Sequence, residues 1–183
     1  QGVMGRAVWN GSRTAAVIIS GDFGFLAGEP DEELLRQVPG PLLVPRTGDW
    51  SPLIERVYGA RAVRETRYAI LKEPDVFDRA KLARYAASLP TGYVMRQIDR
   101  DLVPILLGAE WSKDCCAAFD SPEDCCRRGL GYVALWNGTP VAGAGSYCVY
   151  RGGIEIEIDT REDHRRRGLA AACGARLILE CLD

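Results

Sequence analysis

Metal-ligating residues are scarce in this sequence. It contains a single histidine, His164, and none of its cysteines stand in the C-x-x-C spacing of a zinc ribbon. We therefore expect no metal site. The seven cysteines are an odd number and show no framework of a secreted disulfide-rich domain. Small buried thiols in a reducing compartment are the favoured interpretation.

Long hydrophobic runs and an excess of one charge are absent as well. No stretch reaches the roughly 18 apolar residues that cross a bilayer, and no charged-then-apolar leader is visible, so we expect a cytoplasmic protein without membrane contacts. The formal net charge is -2. Such a chain has no general attraction to nucleic acid, so any basic function must come from a local cluster. Residues 165–167, three consecutive arginines, form one.

The composition is that of a soluble globular protein, with 47% hydrophobic and 26% charged residues. The first part of the chain shows the order strand, helix, strand, helix, strand, with a helix start at Asp31 and another at Ser51. The strands are predicted over 14–20, 41–44 and 61–71. We therefore predict three segments: a small α/β lobe over residues 1–73, a linker with a short helix over 74–90, and a second lobe over 91–183.

The second lobe has a more specific order of elements. A strand over 92–98 and two capped helices, which start near Asp101 and at Ser121, precede three strands. Asn137-Gly138 is a strong hairpin signal between the first two of these strands. The third strand covers 154–160 and leads into a helix predicted over 167–182.

This third strand carries carboxylates. Its period of two places three isoleucines on one face and Glu155, Glu157 and Asp159 on the other. Unpaired acids are not buried against apolar partners, because the desolvation of each would be costly. The acidic face is therefore expected to look into water, which could be bulk solvent or a substrate cleft.

The segment Arg165-Arg166-Arg167-Gly168-Leu169-Ala170 then opens the last helix. A helix N-terminus presents unpaired N–H groups and a partial positive charge, which suit a phosphate. Gly168 permits close backbone approach, and Ala170 leaves the path open. A solvated basic helix start would explain the arginines but not the glycine and the alanine.

These residues carry a family resemblance. Arg165-x-x-Gly168-x-Ala170 after an antiparallel strand resembles the pyrophosphate motif of the GCN5-related N-acetyltransferase (GNAT) superfamily. Other segments resemble its subgroup associated with zwittermicin A resistance: Gly21-Asp22-Phe23-x-Phe25-Leu26-Ala27-Gly28, Ile154-Glu155-Ile156 with Thr160, and Glu180-Cys181-Leu182. The resemblance implies an α+β fold in which helices flank a mixed, mostly antiparallel sheet, preceded by the small α/β lobe.

The resemblance also implies an activity, namely transfer of an acetyl group from acetyl-CoA to an amine of a small molecule, with antibiotics among the acceptors. The cosubstrate would be held by the main chain of Ile158, Asp159 and Thr160 and by the turn of Arg165, Arg166, Arg167, Gly168, Leu169 and Ala170. A carboxylate must take a proton from the amine before it attacks. Glu157 is the first candidate, because it is closer to the segment expected to hold the thioester, and Glu155 is the second.

The family continues after this helix with a further strand, helix and strand pair, which often supply an acid for the leaving thiolate. The resemblance thus implies that the C-terminal part of the fold is missing here, and it leaves open whether the chain is active by itself. The first lobe could be a degenerate copy of that part. An unfinished sheet edge at 154–160 would be open to another chain, which makes a homodimer one expected assembly.

Two other functions stay open at this point. One is a non-catalytic CoA-binding or regulatory module whose acidic strand face is merely solvated. The other is an acetyltransferase that acts on a protein amine, since an acidic face suits a basic peptide as well as a polyamine-like small molecule.

Overall fold

The computed structural model describes residues 4–68, 73 and 75–183. The chain forms two compact units, residues 1–72 and 73–183. Each unit contains a four-stranded, mostly antiparallel sheet flanked by helices, which confirms the predicted α+β class. None of the described helices combines the length and apolarity of a membrane-spanning segment.

The described residues of the first unit form four strands and two α-helices. Its strands are β1 (Arg6–Trp9), β2 (Ala15–Ser20), β3 (Phe23–Gly28) and β4 (Leu42–Pro45), and its helices are α1 (Glu32–Leu35) and α2 (Trp50–Tyr58). The strands lie in the order β1-β2-β3-β4; the first three are antiparallel, and β4 runs parallel to β3. Both helices contribute to one buried core with the sheet, in which Trp50 is fully enclosed.

Two strands of this unit, β1 and β3, were not predicted. Strand β3 contains Gly24, and glycine is a weak strand former. The structure shows why glycine stands there: a Cβ atom at Gly24 would come within 2.4 Å of a methyl group of Val38. Glycine is needed here for close packing against the segment after α1. Because this packing is not visible in the sequence, the glycine made the strand hard to recognise.

Two predictions for this unit were wrong. Helix α2 begins at Trp50, after Asp49, so Ser51 is a helical residue rather than the cap. The strand predicted over 61–71 is not formed by residues 62–68, and residues 69–71 lie outside the described part of the chain. Two of the charged side chains in this segment contact other elements: Arg64 pairs with Glu55 on α2 at 3.0 Å, and Arg67 lies over the ring of Phe23 on β3. The strands predicted over 14–20 and 41–44 and the helix start predicted at Asp31 agree with the structure within one residue.

The second unit contains the predicted order of elements. Its helices are α3 (Arg79–Ala86), α4 (Leu102–Leu107), α5 (Pro122–Arg128) and α6 (Leu169–Leu182), and its strands are β5 (Tyr93–Gln97), β6 (Gly131–Trp136), β7 (Thr139–Tyr150) and β8 (Gly153–Thr160). Short 3-10 turns occur at Lys113–Cys115 and Glu162–His164. The strand order β5-β6-β7-β8 is antiparallel throughout and leaves β8 at an edge.

Helices cover both faces of this sheet. On β6, Tyr132 and Ala134 pack against α6, whereas Val133 and Leu135 pack against α4, α5 and the first 3-10 turn. This alternation follows from the two-residue period of a strand. Along α6, Leu169, Cys173 and Leu177 are buried as their spacing predicts, but Cys181 is exposed. Four of the seven cysteines are buried, and all seven are free thiols.

The start of α5 shows how a local signal becomes a stabilising network. The Ser121 hydroxyl accepts a hydrogen bond from Asp124 N at 3.1 Å, as its capping position predicts. The buried Asp124 carboxylate in turn binds Arg127 at 2.5 Å and the Nε atom of Arg128 at 2.8 Å. The Arg128 hydrogen bond is the main reason why the pKa of Asp124 falls to about 2.

We predict that Asp124→Asn lowers the melting temperature at pH 7, because two arginines lose a charged acceptor. The folded-state pKa lies below the ordinary carboxyl value of about 3.9, so this contribution is complete above about pH 4 and is lost as the pH falls through about 2. Thermal unfolding of both proteins at several pH values between 7 and 2 measures the effect. A difference in melting temperature that stays constant down to pH 2 would contradict the prediction.

Candidate functional site

A cleft lies where strand β8 passes through the second 3-10 turn into helix α6. Its volume is about 410 Å³. The residues that line it are Ile158, Asp159, Thr160, His164, Arg165, Arg166, Arg167, Gly168, Leu169, Ala170 and Ala171. All nine residues that the resemblance associated with a cosubstrate are in this set, so the tertiary structure brings them together around one open space. Whether they bind a ligand stays a prediction.

The backbone of residues 165–170, called the basic turn below, has two left-handed positions. Arg166 has φ of +63° and Gly168 has φ of +78°. A Cβ atom at Gly168 would meet nothing within 4 Å, so the conformation, rather than lack of space, requires glycine at this position. A side chain at position 168 would point into open space.

The start of α6 offers main-chain donors beside the cleft. The first hydrogen bond of the helix runs from Ala172 N to Gly168 O at 3.1 Å. The N–H groups of Leu169, Ala170 and Ala171 therefore have no partner within the helix. Together with the positive end of the helix dipole, this arrangement suits an anion.

The three arginines of the basic turn, which look alike in the sequence, have different environments. Arg165 donates from Nε to Thr160 O at 3.0 Å and lies 3.7 Å from the Asp159 carboxylate. Arg167 donates to the Tyr93 hydroxyl at 3.0 Å and to the carbonyl of Asp163 at 3.2 Å. All three residues are exposed, so Arg165 and Arg167 anchor the turn while their charge stays near the cleft.

At the C-terminal end of β8, both main-chain polar groups of Thr160 form hydrogen bonds with side chains. Thr160 N donates to its neighbour's carboxylate, Asp159 Oδ1, at 2.6 Å, and Thr160 O accepts from Arg165. A ligand arm that paired with the main chain of Thr160 would therefore have to replace these two contacts. Ile158 N likewise donates a hydrogen bond to the carboxylate of the preceding residue, Glu157. The Ile158 side chain reaches α6, where a Cβ atom at Gly174 would lie 3.1 Å from Ile158 Cδ1.

The exposure of the acidic strand face differs from the prediction. Glu157 and Asp159 are half-buried, and only Glu155 of the three acids is exposed. On the other face, Ile156 and Ile158 are 40% and 42% exposed. The prediction that all three carboxylates look into water therefore holds fully for Glu155 and in part for Glu157 and Asp159. The physical reason is the first 3-10 turn, which packs on the acidic face.

Glycines on β7 allow that packing. Gly145 lies opposite Glu157 in the sheet and Gly143 lies opposite Asp159. A Cβ atom at Gly145 would be 3.0 Å from Cys115 Cβ, so a larger residue would push the 3-10 turn away. The turn thereby brings Asp114 and Cys115 next to the carboxylates of β8.

This environment changes the acidity of Glu157. Burial raises the pKa of its carboxyl, and the nearby negative charges of Asp114 and Asp159 raise it further. The same burial, with Glu157 as the largest charge effect, raises the pKa of the Cys115 thiol to about 12. A carboxylate with a raised pKa is a stronger proton acceptor, and such groups are frequent at catalytic sites.

From the sequence, His164 was assigned no role in the cleft. His164 is only 6% exposed, and its Nδ1 atom lies 2.8 Å from the Tyr93 hydroxyl. Its ring stands edge-on to Tyr93, with 5.7 Å between centroids, and 6.0 Å from the ring of Trp136. In the sequence, its position between the acidic strand and the basic turn could have indicated that His164 lies at the cleft. Within the described ranges, no group of three or more His, Cys, Asp or Glu side chains is placed to bind a metal ion.

Two comparisons with known proteins show the family. The family model described as GNAT acetyltransferase matches residues 1–183. A GCN5-related N-acetyltransferase-like protein from Streptococcus suis has 44% sequence identity and a TM-score of 0.91, with 100% of this chain and 76% of that chain covered. A GCN5-related N-acetyltransferase from Kribbella flavida has 16% identity and a TM-score of 0.44, with 98% of this chain and 76% of that chain covered. The second similarity is too low to support an argument, and no curated protein matches the chain.

Proposed function

Because the chain belongs to the GNAT acetyltransferase family, we propose that it transfers the acetyl group of acetyl-CoA to an amine of a small molecule, with Glu157 as the general base. The observation that carries the proposal is the junction of β8 and α6. There an open cleft with main-chain donors and arginines lies on the strand that holds a half-buried carboxylate of raised pKa.

The residues of the cleft fit the phosphates of acetyl-CoA. Three N–H groups at the start of α6 lack helical partners, and the three arginine side chains of the basic turn are cationic and exposed. In this proposal the pyrophosphate is bound by the main chain of Arg166 to Ala170. The arm that carries the thioester follows the edge of β8 at Ile158 to Thr160. This places the thioester closer to Glu157 than to Glu155.

The chemistry then follows from the acidity of the amine. An alkylamine is protonated at neutral pH and has no free electron pair, so it must lose a proton before it attacks. Glu157 takes up that proton, directly or through water. The amine nitrogen forms a bond to the acetyl carbon, and the bond from that carbon to the CoA sulfur breaks with departure of the thiolate. The acid that protonates the thiolate is not assigned to a residue of this chain.

The carboxylates also bear on the acceptor. Asp114 and Asp159 lie close enough to Glu157 to raise its pKa, so this part of the sheet has a concentrated negative charge. A small cationic amine would be attracted there. Membership of the zwittermicin A resistance subgroup, and hence an antibiotic as acceptor, is the narrower form of the proposal. It rests on the resemblance of segments such as Glu180-Cys181-Leu182.

An amine panel tests the proposed function. We expect the purified chain to release free CoA thiol from acetyl-CoA in the presence of small polycationic amines or aminated antibiotics, and more slowly with basic peptides. Thiol release is followed by absorbance, and product mass confirms an acetylated amine. Faster turnover of peptides would favour the protein-amine alternative. Binding of CoA without turnover of any amine would favour the non-catalytic module, and absence of binding would refute the assignment of the cleft.

A further inference from the structure

The contacts of His164 and Tyr93 connect the cleft to strands β5 and β6. Tyr93 lies on β5 and pairs with Trp136 on β6, and their ring centroids are 4.7 Å apart. A Cβ atom at Gly92 would lie 2.4 Å from Trp136 Cζ3, so glycine is needed for the Trp136 ring to lie there. The His164 ring packs against both aromatic rings. The second 3-10 turn thus packs on an aromatic pair of strands β5 and β6.

The donor of the hydrogen bond between Arg167 and Tyr93 can be assigned. An arginine can only donate, so the Tyr93 hydroxyl oxygen accepts from Arg167 Nη1 at 3.0 Å. The same hydroxyl lies 2.8 Å from His164 Nδ1, and it is the donor in this hydrogen bond when that nitrogen carries no proton. The other ring nitrogen of His164, Nε2, lies 3.6 Å from the Asp163 carboxylate.

The same guanidinium group also binds the backbone that precedes the basic turn, since Arg167 Nη2 donates to the carbonyl of Asp163. At the other end of the turn, Arg165 is bound to Thr160 O. The turn is therefore held at two points. One of them depends on a hydroxyl group that does not itself line the cleft, because Tyr93 is not among its lining residues.

We propose that Tyr93 and His164 are positioning residues for the phosphates of acetyl-CoA, which act by holding Arg167 and the basic turn in the conformation that binds them. The inference rests on the proposed function. A turn that is already ordered loses less conformational entropy when it binds a ligand, so removal of the tether weakens binding. The chemical step at Glu157 is not affected, because neither residue contacts the carboxylates of β8.

The decisive variant is Tyr93→Phe, which removes the hydroxyl and keeps the ring against Trp136. We expect the dissociation constant of CoA, measured by calorimetry, to rise roughly tenfold. The KM for acetyl-CoA should rise by a similar factor, while kcat at saturation stays within about twofold. Tyr132→Phe is the matched control. The Tyr132 hydroxyl binds Glu180 at 3.0 Å and Arg176 at 3.3 Å on α6, so its loss should not change CoA affinity.

A pair of histidine variants keeps the test independent of folding. Asparagine at position 164 retains an acceptor near the place of Nδ1, whereas leucine does not. We expect His164→Asn to bind CoA more tightly than His164→Leu, and equal affinities would overturn the inference. If wild type binds CoA and Tyr93→Phe binds it equally well, this inference fails while the proposed function stands. If wild type does not bind CoA, the proposed function fails, and the inference fails with it.

Discussion

Replacement of Glu157 by glutamine is expected to lower kcat for acetyl transfer by roughly 10²- to 10⁴-fold, the usual contribution of a general base. Glutamine has the shape of the carboxylate but cannot take up the proton of the ammonium group. CoA binding should change little, because the basic turn is untouched. Steady-state rates at saturating substrate and calorimetry with CoA measure the two effects separately.

Glu155→Gln is the matched control for this prediction. Glu155 lies two residues away on the same strand but is exposed. We expect the turnover of the Glu155→Gln variant to stay within about twofold of wild type. The reverse result, a large loss at Glu155 and none at Glu157, would exchange their roles. Unchanged turnover in both variants would remove the carboxylates of β8 from the mechanism.

The pH dependence of wild type offers a further check on Glu157. Only the deprotonated carboxylate can act as base, so kcat/KM should fall as the pH drops through the pKa of Glu157. Burial and the charges of Asp114 and Asp159 raise this pKa, so the fall should occur at a higher pH than for an ordinary carboxyl group. The residual activity of Glu157→Gln should not show this fall of kcat/KM at low pH.

Gly168→Asp is expected to weaken CoA binding by roughly 10- to 100-fold. The added carboxylate would lie at the start of α6, where the pyrophosphate is proposed to bind, and like charges repel each other. Because φ is +78° at this position, any side chain also introduces some backbone strain. The charge effect therefore has to be separated from the conformational one.

Gly168→Asn makes that separation, since asparagine has nearly the same shape and also tolerates a left-handed backbone. We expect it to bind CoA at least tenfold more tightly than Gly168→Asp at low salt, on the order of the energy of one unfavourable charge contact. The difference should narrow as salt is added, because ions screen the repulsion. Equal CoA affinity of Gly168→Asp and wild type would rule out the basic turn as the phosphate site.

The second unit could be predicted well because its signals are local. The Asn137-Gly138 hairpin turn and the Ser121 cap each depend on a few neighbouring residues, and both are present in the structure. The first unit was predicted less well, since β3 is hidden by a glycine that accommodates Val38. The charged residues 62–68 alternate like a strand but have no regular structure. Alternation alone does not show whether a partner strand is present.

The sequence by itself determined the family and the place of the candidate site, because the basic turn is a continuous segment whose backbone requirements are visible in Gly168. Only the tertiary structure decided which of the two glutamates is half-buried. Glu157 and Glu155 are equivalent by period, and a 3-10 turn about forty positions earlier in the chain covers one and leaves the other in solvent. The bond between His164 and Tyr93 likewise joins residues 71 positions apart. Such contacts depend on which helices, strands and turns pack together, and local sequence patterns do not predict that packing.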